Sequence, residues 1–121
     1  MNAKQGSRLT SCLEHMLEAV RLARSYVEGL GKADFLEDRK TQQAVILNIL
    51  VVGEAATKIA NEYPDFVAGR PDIPWRQIRG MRNRMAHGYF EINLDIVWDT
   101  VQESLPQLEQ QLLELQRCLK E

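Results

Sequence analysis

The middle of the chain carries the feature that most constrains the fold, the run Ala44–Ala56, which reads A-V-I-L-N-I-L-V-V-G-E-A-A. Drawn as a helix, this run is apolar almost all the way round, which is typical of a helix buried on more than one side. Asp38 is the predicted N-cap, and Pro64 stops the helix after about Tyr63. Small residues such as Gly53 would let another helix approach closely. The sequence therefore predicts a central helix with other helices packed around it.

Glu54 is the exceptional residue of this run, because its carboxylate interrupts an otherwise apolar surface. A buried carboxylate needs a partner or an altered pKa. The nearest concentration of cations in the sequence lies within Arg70–Arg84. The alternative is that Glu54 points to solvent, and the sequence leaves both possibilities open.

Two more helices are predicted from the spacing of apolar residues and from their end signals. The segment from Ser7 to Leu30 has apolar residues at steps of three and four, which indicates an amphipathic helix that ends at Gly29 and Gly31. A later helix is predicted to start at Pro74, a residue that suits the first helical position, and to end at His87 before Gly88. We expect both helices to pack against the central one.

The last helix is predicted to start near Asn93 or Asp95 and to contain Pro106, which can kink it. Its apolar stripe has a clear helical period and consists of Leu94, Val97, Trp98, Val101, Leu105, Leu108, Leu112, Leu115 and Leu119. No segment alternates as a strand does. The predicted fold class is therefore all-α, an antiparallel four-helix bundle with a short extra helix or turn.

The connections and the bulk composition complete this prediction. Phe35 and Leu36 are expected to anchor a short connection, and Asp65–Asp72 is expected to be irregular. At 121 residues, 45% apolar and 26% charged, the chain suits one domain spanning residues 1–121. No signal peptide or apolar segment of membrane-spanning length is evident, so we expect a cytoplasmic protein. Cys12 and Cys118 have no metal-ligand spacing and are expected to be buried free thiols.

The stretch with the most chemistry is Arg79–Tyr89, which reads R-G-M-R-N-R-M-A-H-G-Y. It contains three arginines, a histidine and a tyrosine, in a chain whose net charge is −2. Such a local positive cluster can hold a polyanion, and a histidine beside it can move a proton near neutral pH. The plain alternative is a solvated basic helix face with a capping histidine.

Helical spacing arranges these residues further. Arg79, Asn83 and His87 are four residues apart, so they share one row, and Asn83 is placed to hydrogen-bond the imidazole. Arg84 precedes His87 by three residues and lies near that row. Arg82 precedes it by five, about 140° around an ideal helix. Spacing alone therefore favours Arg84 over Arg82 as the partner of His87.

These residue types suit phosphodiester cleavage without a metal or another cofactor. A histidine can take the proton of a ribose 2′-hydroxyl, while guanidinium groups stabilise the charge of the transition state. A symmetric dimer would bring a second histidine to the same cleft. The carboxylates nearby, Glu91 and Asp95, are too few for a metal site and lack a histidine or cysteine cluster. His15, in the first helix, is expected to lie at the surface without a catalytic role.

The run Arg82–Tyr89 resembles the Arg-x₄-His-x-Tyr signature of the HepT-like toxins, which belong to the HEPN (higher eukaryotes and prokaryotes nucleotide-binding) superfamily of ribonucleases. A polar residue directly after the arginine, here Asn83, is part of that pattern. The resemblance covers nearly the whole chain and includes the segments D-F-L-E-D-R-K-T-Q, V-G-E-A-A, I-P-W-R-Q-I and L-D-I-V-W.

This resemblance implies a HEPN-like helical bundle working as a homodimer, whose two motifs meet at one cleft. It implies metal-independent cleavage of an RNA substrate that leaves a 2′,3′-cyclic phosphate. Arg82 and His87 match the family's catalytic pair, which replaces the preference for Arg84, and Arg79, Asn83 and Arg84 would support RNA binding. Tyr89 matches the tyrosine to which the partner antitoxin, an MntA-like minimal nucleotidyltransferase, attaches AMP in a type VII toxin–antitoxin module.

Two other functions remain open at this point. In the first, the bundle is a non-catalytic partner of a nucleotidyltransferase, or a nucleotide-binding module, and the motif serves docking. In the second, it is a helical scaffold whose basic patch binds RNA non-specifically, with an affinity that falls steeply with salt. The sequence does not name the RNA, nor an assembly beyond a dimer.

Overall fold

The computed structural model describes the backbone of residues 3–120 and the side chains of residues 6–120, and over this range it is helical without a strand. The α-helices are α1 Ala3–Tyr26, α2 Lys32–Leu36, α3 Arg39–Glu62, α4 Pro64–Ala68, α5 Trp75–His87, α6 Leu94–Asp99 and α7 Leu105–Lys120. A 3₁₀ turn, Tyr89–Glu91, follows α5, and a π turn, Thr100–Ser104, joins α6 to α7. The predicted all-α bundle of four main helices with short extra ones is confirmed.

Helix α3 is the centre of the bundle, because it packs against both α1 and α5, while α1 also packs against α7. Its predicted N-cap is confirmed: an Asp38 carboxylate oxygen accepts from the backbone N–H of Thr41 at 3.1 Å, and its other oxygen accepts from the Thr41 hydroxyl at 2.6 Å. These bonds favour the ionised form and lower the pKa of Asp38. The buried positions of α3 are Val45, Ile46, Asn48, Ile49, Val52, Gly53, Ala55, Ala56 and Ile59.

Helix α1 differs from its prediction at both ends. It begins before Ser7, at Ala3, and it ends at Tyr26 rather than at Leu30. The residues after Tyr26 continue as hydrogen-bonded turns, and Gly29 has a φ of +80°. That left-handed conformation is one that glycine adopts without steric cost, so Gly29 marks the stop one turn beyond the helix.

The connections carry more helix than the sequence indicated. Pro64 stops α3 as predicted, but it also begins α4, so the expected irregular segment starts with a short helix. Of the two predicted anchors, Phe35 is fully buried and packs against Trp98 with ring centroids 5.4 Å apart, whereas Leu36 is exposed. Phe35 alone therefore ties α2 to the core.

The last predicted helix is present, with a wide turn inside it. Asn93 caps α6, its side-chain oxygen accepting from the backbone N–H groups of Asp95 at 2.9 Å and Ile96 at 3.3 Å. The π turn directly precedes α7, in which Pro106 is the second residue. A proline lacks the N–H of a regular helix, and its ring clashes with the carbonyl four residues earlier. A kink was predicted at Pro106, and the irregularity that the structure contains there is the π turn just before it.

Two expectations need correction. Helix α3 is long and apolar enough to cross a membrane, contrary to the expectation that no segment approaches that length. Half of its apolar stretch is buried in the bundle, and core helices have the same composition. Both cysteines are free as expected, but Cys12 is only partly buried and Cys118 is exposed.

Candidate functional site

The site is built where α5 lies against α3 at Gly53. A Cβ atom added to Gly53 would overlap the Cβ of Arg82 and would lie 2.6 Å from its Cγ. Such a separation is far inside van der Waals contact, so the glycine lets the aliphatic stem of Arg82 lie directly on the backbone of α3. Gly53, the small residue predicted to permit close approach of another helix, thus determines how closely the side chain of Arg82 packs against α3.

The guanidinium of Arg82 is held at several points. Its Nε donates to Oε1 of Glu54 at 2.6 Å, and its Nη2 donates to the same oxygen. Its Nη1 donates to the side-chain oxygen of Asn83 at 2.9 Å. The question left open for Glu54 is answered on both counts, because its side chain is 60% exposed and it is also paired with the arginine cluster.

The row predicted on α5 is present, and we call it the α5 outer face: Arg79, Asn83 and His87, all exposed. The expected Asn83–His87 hydrogen bond is replaced by the Arg82–Asn83 bond. His87 is the last residue of α5, and its imidazole makes no hydrogen bond or ion pair with residues 6–120. Gly88 ends the helix as predicted, its N–H donating to the Arg84 carbonyl at 2.8 Å. The imidazole is thus open to solvent at the end of α5, five residues after Arg82.

Arg84 lies on the other flank of α5. It lines a pocket of about 250 Å³ with residues of the following turn and α6, including Ile92 and Ile96. It also lines an apolar pocket of about 340 Å³ between α3, α5 and the α6–α7 region. Neither pocket includes Arg82 or His87. The arginine favoured by spacing therefore lines pockets shared with α6 and the π turn, and it lies apart from the contact of Arg82 with Gly53 and Glu54.

Tyr89 begins the 3₁₀ turn that follows α5 and is 46% exposed. Its ring meets that of Phe90 edge-on, with centroids 5.9 Å apart, and Phe90 is completely exposed. No role was predicted for Phe90 from the sequence. The available signal was a second aromatic residue placed after the helix stop at Gly88, off any buried stripe.

The carboxylates near the site form no cluster among the described residues. Asp95 pairs with Lys32 of α2 at 2.9 Å, and the resulting hydrogen bond raises the pKa of Lys32. In the part of the chain that the structure describes, histidine, cysteine and carboxylate side chains form no group of three that could hold a metal ion. His15, to which no role was given, is exposed on α1 as expected.

These features define a class: an all-α bundle that displays an arginine and a histidine on one helix and a tyrosine in the turn that follows it. The "Ribonuclease HepT-like" family model matches residues 16–115, most of the chain, and the chain therefore belongs to the HepT-like ribonuclease family. This confirms the resemblance drawn from the motif.

Relatives of this chain carry matching names. A Thermococcus cleftensis protein named "probable ribonuclease HepT" is 40% identical over 96 residues, which cover 79% of this chain and 84% of that protein. A candidate RNase of Caldanaerobacter subterraneus subsp. tengcongensis is 31% identical over 103 residues, covering 85% and 89% of the two chains. One of Methanocaldococcus jannaschii is 35% identical over 98 residues, covering 81% and 75%. No solved structure matches the chain significantly.

Proposed function

We propose that the protein is the cytoplasmic RNase toxin of a type VII HEPN/MNT toxin–antitoxin module, and that it cleaves RNA without a metal or other cofactor. The observation that carries this proposal is that one helix presents both a fixed guanidinium and an exposed imidazole for which residues 6–120 provide no hydrogen-bond partner. Arg82 is held by Glu54 and Asn83, and His87 lies exposed at the end of the same helix, in a chain of a ribonuclease family.

The reaction is a transesterification in which His87 acts as general base and Arg82 stabilises charge. The imidazole takes the proton of a ribose 2′-hydroxyl, and the 2′-oxygen bonds to the adjacent phosphorus. The bond from phosphorus to the 5′-oxygen of the next nucleotide breaks, and that oxygen takes a proton from the imidazolium of a second copy. The products are a 2′,3′-cyclic phosphate and a 5′-hydroxyl. Arg82 compensates the negative charge that grows on the phosphate oxygens.

A homodimer supplies the second imidazole, and the surface beside the site supports one. Helices α3 and α5 pack against each other, with Gly53 against Arg82. Exposed large apolar side chains belong to the elements that carry the site: Leu47 and Val51 of α3, Tyr89 and Phe90 after α5, and Ile96 of α6. Exposed apolar surface of this kind is typical of an interface.

The other arginines of α5 are proposed to attract the RNA without being held in one orientation. Arg79 and Arg84 are exposed on different flanks of α5 and would attract the RNA backbone. Asn83 serves the proposed site through its hydrogen bond to Arg82.

Tyr89 is the proposed site of control by an MntA-like nucleotidyltransferase antitoxin. Its phenol oxygen attacks the α-phosphorus of ATP, which attaches AMP and releases pyrophosphate. Its exposure and its position two residues after His87 support this assignment. The added phosphate places negative charge beside the site and repels the RNA backbone.

The test of cleavage compares the native protein with His87→Ala on total RNA in EDTA. His15→Ala is the matched control, because His15 is the chain's other histidine and is also exposed. We expect fragments with cyclic phosphate ends from the native and His15→Ala proteins, and none from His87→Ala. Absence of fragments from the folded, unmodified native protein would favour a non-catalytic binding partner. RNA binding that falls steeply with salt but survives in His87→Ala, without cleavage, would favour a scaffold.

The test of modification incubates the toxin with ATP and a nucleotidyltransferase of the MntA type, and measures AMP attachment by mass spectrometry. Tyr89→Phe should keep RNase activity and escape silencing. Tyr26→Phe is the control, since Tyr26 is similarly exposed, on α1. Silencing of Tyr89→Phe would show that another residue is modified.

A further inference from the structure

We propose that Glu54 is a positioning residue for Arg82, orienting its guanidinium for the RNA phosphate; this inference rests on the proposed cleavage. The two residues are 28 positions apart and meet only because α5 crosses α3 at Gly53. Glu54 is not itself placed to react, since it acts through the arginine it holds.

The hydrogen bonds of Arg82 occupy three N–H groups of its guanidinium and leave two for a ligand. A guanidinium has five N–H donors. Glu54 takes two of them, on Nε and Nη2, and Asn83 takes one, on Nη1. Each terminal nitrogen carries two N–H groups, so Nη1 and Nη2 each keep one. These two N–H groups remain available to donate to the oxygens of a phosphate, an anion that guanidinium groups bind well.

The stem of Arg82 is fixed as well as its head. The absence of a side chain at Gly53 lets the first carbons of the arginine lie on α3, where its side chain is 28% exposed. A free arginine samples many rotamers and loses that freedom on binding. An arginine held at stem and head meets the phosphate already oriented, which is the condition for efficient stabilisation of a transition state.

Stability alone is a weak explanation for this pair. Glu54 is 60% exposed, and ion pairs near solvent contribute little to folding because water screens them and ordering two side chains costs entropy. A latch is the competing explanation, in which Glu54 neutralises Arg82 until RNA displaces it. Positioning and latching predict opposite effects of removing Glu54, so activity distinguishes them.

The experiment measures kcat and KM on a short synthetic RNA for the native dimer, Glu54→Ala, Glu54→Gln and Arg82→Ala. Glu62→Ala is the matched control, because Glu62 is another exposed acid of α3 and its loss changes net charge equally. We expect Glu54→Ala to lower kcat about 10- to 100-fold with KM changed little, as misoriented groups do. Glu54→Gln should recover part of the loss, since its amide oxygen still accepts a hydrogen bond. Glu62→Ala should resemble the native protein.

The double variant Glu54→Ala/Arg82→Ala decides whether Glu54 acts through the arginine. If it does, the double variant should be no slower than Arg82→Ala alone. Equal or faster cleavage by Glu54→Ala would overturn positioning, and so would additive losses in the double variant. Either result leaves the proposed RNase function standing.

A readout independent of cleavage separates the two proposals. The NMR signal of the Arg82 Nε–H, assigned by its loss in Arg82→Lys, should exchange slowly with solvent in the native protein and rapidly in Glu54→Ala. If the native protein cleaves no RNA, the proposed function fails, and this signal still reports on the pair. Equal exchange in the two proteins would overturn the positioning of Arg82 by Glu54.

Discussion

Arg82 and Arg84 are two residues apart on one helix, and they have opposite surroundings. Arg82 lies on α3, with its stem against Gly53 and its head bound to Glu54 and Asn83. Arg84 lies on the far flank, where its Nη1 would be 3.9 Å from a Cβ atom added at Gly80 and where it lines mostly apolar pockets. The difference shows that the neighbouring helix, and not the charge itself, decides which arginine is preorganised.

The largest expected effect tests that difference in catalysis. Arg82→Ala should lower kcat about 10²–10³-fold, the usual cost of removing one preorganised donor to a transition state. Arg84→Ala should lower activity less than tenfold, acting mainly on RNA affinity, because its charge is not directed by a partner. Rate measurements on one RNA, with circular dichroism to verify folding, decide this. An equal or larger loss in Arg84→Ala would reverse the assignment and restore the partner that helical spacing favours.

A pair of glycines sharpens the comparison through stability. Gly53→Ala would press a methyl group into Arg82, and overpacking of this kind costs about 1–3 kcal/mol. The added methyl group of Gly80→Ala meets only Nη1 of Arg84, at the van der Waals distance of 3.9 Å, so the change should stabilise the protein by about 0.5–1 kcal/mol, the usual gain of alanine over glycine inside a helix. Urea unfolding of both variants measures the free energies. Stabilisation by Gly53→Ala would mean that α5 does not lie against α3 as described.

The smallest expected effect concerns the dependence of stability on pH. It involves Arg70, an arginine whose partner lies in its own loop. It donates to both carboxylate oxygens of Asp72, at 2.9 and 2.8 Å, and this pairing holds the pKa of Asp72 below its ordinary value. Because the folded-state pKa is lowered, the stabilisation is present above the unfolded pKa near 3.8 and is lost as pH falls through the lower folded value.

Asp72→Asn tests this contribution, since asparagine does not titrate. The melting temperature of the variant should fall less steeply with acidification below about pH 4 than that of the native protein, and it should differ little at pH 7, because the pair is partly exposed and water screens it. Asp65→Asn is a suitable control, as an exposed acid of α4 for which no hydrogen bond to an arginine is present among the described residues. Identical acid profiles for native and Asp72→Asn proteins would contradict the lowered pKa.

The helices themselves follow from local sequence. The caps at Asp38 and Asn93, the stop at Gly88 and the row on the α5 outer face depend on residues within a few positions of one another. Hydrogen bonds and helical spacing at that range are set by the order of the residues, so the sequence predicts them well. The errors at the ends of α1 and in α4 are of the kind that fraying and short connections produce.

The motif and the fold class were therefore determined by the sequence, and the family match agrees with both. The contact that sets Arg82 apart from Arg84 was decided only by the tertiary structure. It joins Gly53 and Glu54 to Arg82, 28 positions after Glu54, and it exists because two helices cross at a point where one of them has no side chain. Helical spacing describes angles around a single axis, and it contains no information about which flank of that axis a second helix will cover.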